Sequence, residues 1–395
     1  MKSEWEEVIL EDLGFVGRGK SRHRPRNADF LYGSEYPFVQ TADVKAANFR
    51  ITSYSQMYSK EGLKQSKLWP VNTLCITIAA NIADAALLGI EACFPDSVIG
   101  FIPDDKKSDV RFAKYLFDLL QARIKKISQG AAQDNLSLEK LRTIKFLIPN
   151  LPTQRKIAAI LSAYDDAIEN NLKRIKLLEE KAQLTYEEWF VRMKFPGHKN
   201  VAIDKENGLP EGWEKGKIVD LFELQRGFDL PVQNRVEGLV PVIASTGVVD
   251  YHNLGKVKGP GIVTGRSGTI GEVQFVADDF WPLNTTLWIK KYKKGNPAYA
   301  LQFLKAIKLK RFAGGAAVPS LDRKVVHHQS IRIPTPELIE NYETFCNSIL
   351  TAIIILQNQN QLFKEARNIL LPRLMTGMID VEELELPTSN VKSAV

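Results

Sequence analysis

The stretch WEEVILEDLGFVGRG, residues 5–19, lines up without a gap on WEKGKIVDLFELQRG, residues 213–227. Six of the fifteen positions are identical: the opening Trp-Glu, Asp12-Leu13 against Asp220-Leu221, and Arg18-Gly19 against Arg226-Gly227. Further on, GAAQDNLSLEKLRTIKFLIP from Gly130 meets GAAVPSLDRKVVHHQSIRIP from Gly315, with six identities in twenty positions. Between these anchors YPFVQTADV, from Tyr36, loosely mirrors VPVIASTGV, from Val240. The first anchor puts Trp5 on Trp213 and the second puts Gly130 on Gly315, so the second copy has the shorter middle. Self-similarity of this kind reassigns every other signal. The chain reads as one domain plan used twice, with a variable middle.

The repeat decides the reading of residues 14–21, GFVGRGKS, which fit the phosphate-loop pattern G-x-x-x-x-G-K-[ST]. In the second copy Gly14 becomes Phe222 and Lys20 becomes Phe228, while the Arg-Gly pair persists. A working phosphate loop also opens a helix whose N-terminus faces the phosphates. Here RHRPRNADF follows, with Pro25 and no apolar period. An Arg-Gly turn is expected, not a nucleotide cradle. Two further patterns fail in the same way. Pro95-Asp96 followed by Asp104-Asp105-Lys106 resembles the PD…DxK set of metal nucleases, but its aligned counterpart, Pro282-Leu283, lacks the carboxylate. Asn296-Pro297-Ala298-Tyr299 approaches the N-P-P-[YF] loop of amino-methyltransferases without the second proline, and Pro297 more simply starts a helix. The five histidines show no metal spacing.

At 395 residues, 44% hydrophobic and 25% charged, the chain has the composition of ordinary globular domains and room for two or three of them. A net charge of +7 leans towards a polyanionic partner. Cys75, Cys93 and Cys346 form no C-x-x-C pair and read as buried thiols in a reducing compartment. The acidic start MKSEWEEV shows no secretion signal. The most apolar region, residues 74–94, is interrupted by Asn81, Asp84 and Glu91, too polar to cross a bilayer. A cytoplasmic location is the expectation.

After each Ile-Pro a long helical pattern begins, with Pro152 and Pro336 suited to a first turn. Apolar residues then recur every three or four positions: Leu161, Tyr164, Ile168, Ile175, Leu178, Ala182 and Trp189. The second copy continues in phase with Cys346, Ile349, Ile353, Leu356, Phe363, Leu370 and Leu374. Such a stripe suits the core face of any helix, but matched phase in both copies predicts two helices packed on each other over about four heptads. Asn171 and Asn360 fall on seam positions and would set the register. Before each helix, β-branched runs punctuated by Gly, Pro, Asn and Asp predict short strands, then a helix over 110–127 and another over 297–312. Each copy therefore reads as an α+β globule followed by a long helix.

The binding signals are basic. Arg18, Lys20, Arg22, Arg24 and Arg26 share one extended segment able to follow a phosphate backbone, and arginine also reads guanine edges. Gln40, Thr41 and Asn81 stand on later turns of the first copy. The second copy offers Gln225, Arg226, Ser245, Thr246, Arg266, Ser267 and Asn284, then Arg311, Arg323 and Lys324. Lys125 and Lys126 are the late basic residues of the first copy.

LPEGWE, residues 209–214, IPNLPTQRKIAAILSAYDDAIENNLKRIKLLEE from Ile148, and LLPRLMTGMID from Leu370 together resemble the specificity subunit of type I restriction–modification enzymes. The resemblance covers nearly the whole chain and its duplicated order. It implies an α+β fold with two similar target-recognition globules separated by two long antiparallel coiled-coil helices under a pseudo-two-fold internal repeat. The corresponding segments are 1–148 and 209–333 for the recognition domains, 149–195 and 334–380 for the helices, 196–208 for a linker, and 381–395 for a mobile tail. A helix of about 40 residues is roughly 60 Å long, so the two globules could face DNA about one to two turns apart. The resemblance implies a non-catalytic chain that reads double-stranded DNA and docks methyltransferase and restriction/translocase subunits. S-adenosylmethionine, ATP and Mg²⁺ would belong to those partners, with none bound by this chain. One departure is Pro372, expected to break the second helix where the first has Glu187. Two other readings compete. A nucleotidase or nuclease would turn over ATP or need Mg²⁺ as a lone chain, and an interaction scaffold would show no salt-steep DNA affinity.

Overall fold

The computed structural model describes residues 5–78, 83–129, 138–315 and 319–384, with the backbone alone over 122–129. Two compact units emerge: residues 1–171 with 358–395, and residues 172–357. Among the described residues no helix is long and apolar enough to cross a membrane.

The first unit is closed by its own ends. Strand β1 (Glu6–Ile9) lies antiparallel to β11 (Lys145–Ile148), Glu6 opposite Ile148 and Ile9 opposite Lys145. Between them run β2 (Gly14–Arg18), β3 (Tyr32–Phe38), β4 (Arg50–Ile51), β5 (Gln56–Tyr58), β6 (Leu68–Trp69), β7 (Leu74–Thr77), β8 (Ala85–Leu88), β9 (Ala92–Cys93) and β10 (Val98–Pro103). They form two sheets, ordered β2-β10-β7-β8-β4 and β5-β3-β9-β6. Strands β7 and β10 are buried runs of β-branched and aromatic residues, the composition of strands covered on both faces. Short helix α1 (Thr41–Ala46) packs against β7 and β8 of the larger sheet, and α2 (Lys60–Lys64) against β3 and β5 of the smaller one. Helix α3 (Val110–Gln129) drives Phe112, Tyr115, Leu116 and Phe117 into the core, and α4 (Leu138–Thr143) leads into β11.

The second unit repeats this plan after α5 (Leu151–Tyr186). Strand β12 (Glu214–Lys217) pairs with β22 (Ser330–Ile333), Glu214 opposite Ile333. Helix α6 (Ile218–Leu221) precedes β13 (Phe222–Arg226), β14 (Val240–Ala244), β15 (Gly247–His252), β16 (Gly261–Gly265), β17 (Val273–Val276), β18 (Trp281–Pro282) and β19 (Thr286–Tyr292). Their sheets are ordered β13-β19-β16-β17 and β15-β14-β18, matching β2-β10-β7-β8 and β5-β3-β9. A parallel pair recurs at the same place: Phe38 opposite Cys93 and Val242 opposite Trp281. Helices α7 (Pro297–Ala306) and α8 (Arg323–His327) and the pair β20 (Ala313–Gly314) and β21 (Ser320–Leu321) complete it.

The Arg-Gly step shows why both copies keep it. The Gly19 amide donates to the Val98 carbonyl and the Lys20 amide to Phe94, while Gly227 donates to Thr286 and Phe228 to Pro282. A Cβ on Gly19 would strike the Pro95 carbonyl oxygen, and one on Gly227 the Leu283 carbonyl oxygen. Backbone cannot yield there as a side chain could. Gly19→Ala and Gly227→Ala should therefore each cost about 1–3 kcal/mol, the scale of overpacking. Gly314→Ala, with open space around its Cβ, is the control expected to leave thermal unfolding unchanged. Equal melting of all three variants would count against the close packing. The same contacts align Phe94-Pro95 with Pro282-Leu283, one residue away from the alignment read from sequence.

The long helices pair within each unit. In the first, α5 meets the late part of α9 (Pro336–Met375): Tyr164 lies 6.3 Å from Phe363 between ring centres, and the buried Asn171 amide donates to Asn360 at 3.0 Å. Asp165, 1% exposed, accepts from Tyr115 at 2.5 Å and pairs with Arg367. This joins α3, α5 and α9, and burial together with the Asp165 carboxylate pushes the Tyr115 phenol well up. In the second unit the end of α5 meets the start of α9, where the Tyr342 hydroxyl donates to the Ala182 carbonyl at 2.8 Å and Tyr186 packs on Tyr342. The start of one helix meets the end of the other each time, so the pair is antiparallel.

Several expectations are corrected. Pro372 does not break α9, which continues to Met375 before Gly377 turns at φ +69°. The missing N–H forfeits one bond, to the Asn368 carbonyl, and the turn beyond it is held by Leu374 and Met375, both buried in the first unit's core. In the first copy the aligned Glu187 instead begins a π-helical turn, Glu187–Val191. The helix expected over 297–312 stops at Ala306, because Lys308 adopts left-handed backbone before a 3₁₀ turn at Leu309–Phe312. The mobile tail does not begin at 381: Val381 is buried with Leu374 and Met375, and the Glu382 carbonyl accepts from Lys156. Residues 385–395 lie outside the described residues. On either side of the linker Phe195 and Trp213 stack on each other at 6.0 Å.

Candidate nucleic-acid interface

In the first unit the basic segment leaves β2 and folds back on the turn after β9. Arg18 Nε donates to the Asp96 carbonyl, and Arg26 grips the Asp96 carboxylate at 2.8 and 2.9 Å. Arg24 is turned inward to the Ser21 and His23 carbonyls, at 2.7 and 2.8 Å. Three of the four arginines on this segment thus hold the loop itself. Asp96 is bonded to Arg26, and the Asp104 carboxylate caps the Lys106 amide at 3.0 Å. Lys20 and Arg22 are exposed. Beside Lys20 sits Lys67, stacked 3.7 Å above Trp69 and 4.6 Å above the exposed Phe15. Burial, then the Lys20 charge, lowers the Lys67 ammonium below its ordinary value. Lys67 and Phe15 carry no sequence signal of their own. Residues 14–18, the start of the phosphate-loop match, are a β-strand, and Ser21 Oγ lies 3.4 Å from the Tyr58 hydroxyl.

Gln40 caps α1 and bonds Gln56 at 2.9 Å, with Thr41 next to it, half-buried. Asn81 lies outside the described residues, as does Gly130 of the repeated frame. For Lys125 and Lys126 only the backbone, within α3, is described.

The second unit gathers its residues differently. Gln225, Arg226, Phe228, Arg266, Lys290, Ser320, Asp322 and Arg323 line an open cleft of about 840 Å³. Arg226 and Gln225 come from the end of β13, and Arg323 begins α8. Arg266 follows β16 and is fixed from both sides: its amide donates to the Thr285 carbonyl and its carbonyl accepts from Leu321, both at 2.8 Å. Ser267 bridges to Ser320. Lys290 was not legible as a site residue. It owes its place to a bulge, because Glu223 faces Lys291 while Leu224 faces Ile289, leaving Lys290 as the extra residue. In the first unit β2 and β10 pair without any such shift. Ser245 is buried against the Gly265–Gly268 turn, so it shapes that turn instead of facing solvent. Thr246 and Lys324 are exposed, and Asn284 is bonded to Asp229.

His327 ties α8 to the floor of this sheet by accepting the Leu224 amide at Nε2, 2.8 Å. Burial, and then the Arg323 charge, lowers its basicity, which keeps the ring neutral and able to accept. Because the folded value is depressed, this contribution to stability is present at neutral pH and lost as pH falls below the unfolded value near 6.5. Among the described residues no group of His, Cys, Asp and Glu is arranged to hold a metal.

The chain is thus a duplicated α+β frame whose two copies carry basic surfaces of different chemistry beside long packed helices. The chain belongs to the family described as type I restriction modification DNA specificity domain, whose model matches residues 2–180 and 210–361, and is a specificity subunit of a type I restriction–modification system. The specificity subunit of type I restriction enzyme MjaIX from Methanocaldococcus jannaschii is 25% identical, matched over 96% of this chain and 95% of its own length. That of EcoprrI from Escherichia coli is 20% identical over 81% of this chain and 83% of its own. The fold is shared with the S subunit of M. genitalium, at a TM-score of 0.60 and 14% identity over 94% of this chain and 96% of that one.

Proposed function

We propose that this chain reads a split, asymmetric sequence in double-stranded DNA, one half-site through each unit, and carries methyltransferase subunits on its paired helices. The observation behind this is the contrast between a shared frame and divergent turns. Strands β1/β11 and β12/β22, the Arg-Gly step and the parallel strand pair coincide, whereas Gly17, Lys20 and Ile99 of the first unit stand where the second has Gln225, Phe228 and Leu287. Two like scaffolds with different donors and acceptors present different patterns to base edges. The half-sites should differ, and the helices should set the gap between them.

The helices also carry apolar residues that face away from the seam. Leu177, Leu184 and Val191 recur at heptad spacing and are 64%, 59% and 53% exposed. Ile355, Leu362 and Ile369 do the same on α9, at 51%, 63% and 54%. In the register that puts Gly130 on Gly315, Leu177 falls on Leu362 and Leu184 on Ile369, so the repeat offers one kind of docking stripe twice. S-adenosylmethionine, ATP and Mg²⁺ chemistry then resides in the methyltransferase and restriction/translocase partners, acting in the cytoplasm. The test is to map methylated adenines across the genome of a host carrying this chain with its methyltransferase. One bipartite motif with unlike halves is expected. A continuous or palindromic motif would overturn the reading.

A further inference from the structure

We propose that the cleft of the second unit clamps the sugar–phosphate backbone and so supplies sequence-independent affinity for DNA. The inference rests on the DNA-reading function proposed above and assigns a role to this cleft within it. Four cations, Arg226, Arg266, Lys290 and Arg323, line this cleft with a single carboxylate, Asp322. That carboxylate is already engaged, accepting the Lys324 amide at 2.8 Å. Among the described residues none of the four cations is paired with a carboxylate. In the first unit Arg26 is paired with Asp96, Arg18 and Arg24 donate to backbone carbonyls, and Lys20 and Arg22 stay exposed on their loop.

A base edge is neutral and would leave several cations uncompensated in one concavity. A phosphate is the group that answers converging cations, and each one neutralised releases counterions. The bulge reinforces the point. It adds one residue to β19, and that residue is an exposed lysine turned into the cleft. Lysine is a compact point charge suited to phosphate, without the planar fork that reads guanine.

The experiment uses the full chain assembled with its methyltransferase. Binding is measured across a salt series on a duplex carrying the mapped site and on a duplex of equal length without it. Lys290→Gln and Arg266→Gln are each expected to lower the slope of log affinity against log salt by about 0.9. They should weaken both duplexes by the same factor and leave the methylated sequence unchanged. Lys290→Arg should restore the slope. Lys258→Gln, at an exposed lysine paired with Asp279, should leave it unaltered. Thermal melting confirms that each variant is folded. A changed second half-site with an unchanged slope would make these residues base readers and overturn the proposal, as would unchanged slopes in both variants. A wild-type assembly with no salt-dependent affinity for either duplex would instead remove the DNA-reading function itself.

Discussion

Replacing residues 210–333 with the corresponding segment of a relative changes one half of the methylated sequence and leaves the other half and the gap intact. This is expected because the graft begins and ends at neighbouring points. Glu214 pairs with Ile333 and Lys217 with Ser330, so the two junctions lie side by side on one strand pair. The replaced residues have their own sheets and their own cleft, and the first unit is closed independently by β1 and β11. Sites without shared partners behave additively. Sequencing of methylated sites in the hybrid checks the outcome, and a change in both halves at once would show that the units do not read separately.

Ile353→Asp and Ile168→Asp should each abolish assembly with the methyltransferase. Ile168 is 1% exposed, on α5 between the buried Asp165 and Asn171 that meet α9, and Ile353 is 8% exposed in the apolar cluster of the second unit. An aspartate there is buried without a partner, a penalty of several kcal/mol, a large fraction of the ~5–15 kcal/mol that holds a domain together. Pull-down and thermal unfolding should fail together in these variants. Leu184→Asp, on the outward stripe, separates the two effects: its melting should stay near wild type while methyltransferase binding falls. Normal methylation by both seam variants would mean that these positions are not buried in the working complex.

The frame is legible in the sequence because its contacts fall at matched positions of the two copies. Glu6 aligns with Glu214 and Ile148 with Ile333, and in each copy the two are strand partners. Even the loose match of YPFVQTADV with VPVIASTGV holds in register, since Phe38 and Val242 occupy the same place in the same parallel pair. The site is less legible, for a physical reason. Whether an arginine is free or spent depends on partners remote in sequence, as Asp96 is from Arg26. Lys290 is placed by a single-residue bulge, which leaves no compositional mark. The α7 helix ends on a left-handed Lys308, a conformation more often taken by glycine, so no breaker announces it.

The buried Asn171–Asn360 contact has a consequence for assembly fidelity. Carried over to the equivalent positions of the other copy, the pair becomes Leu356 and Ile175, which lie in the same apolar cluster of the second unit. The helix pair thus has one polar rung and one greasy rung where strict symmetry would give two alike. Were α5 of one chain to pair with α5 of another, Asn171 would face Ile175 and its amide would go unanswered at both rungs. Each such burial costs about 1–3 kcal/mol. The duplication has therefore lost the ability to substitute for itself: a first helix recognises a second helix and rejects its own kind, which keeps two unlike units in a single polypeptide.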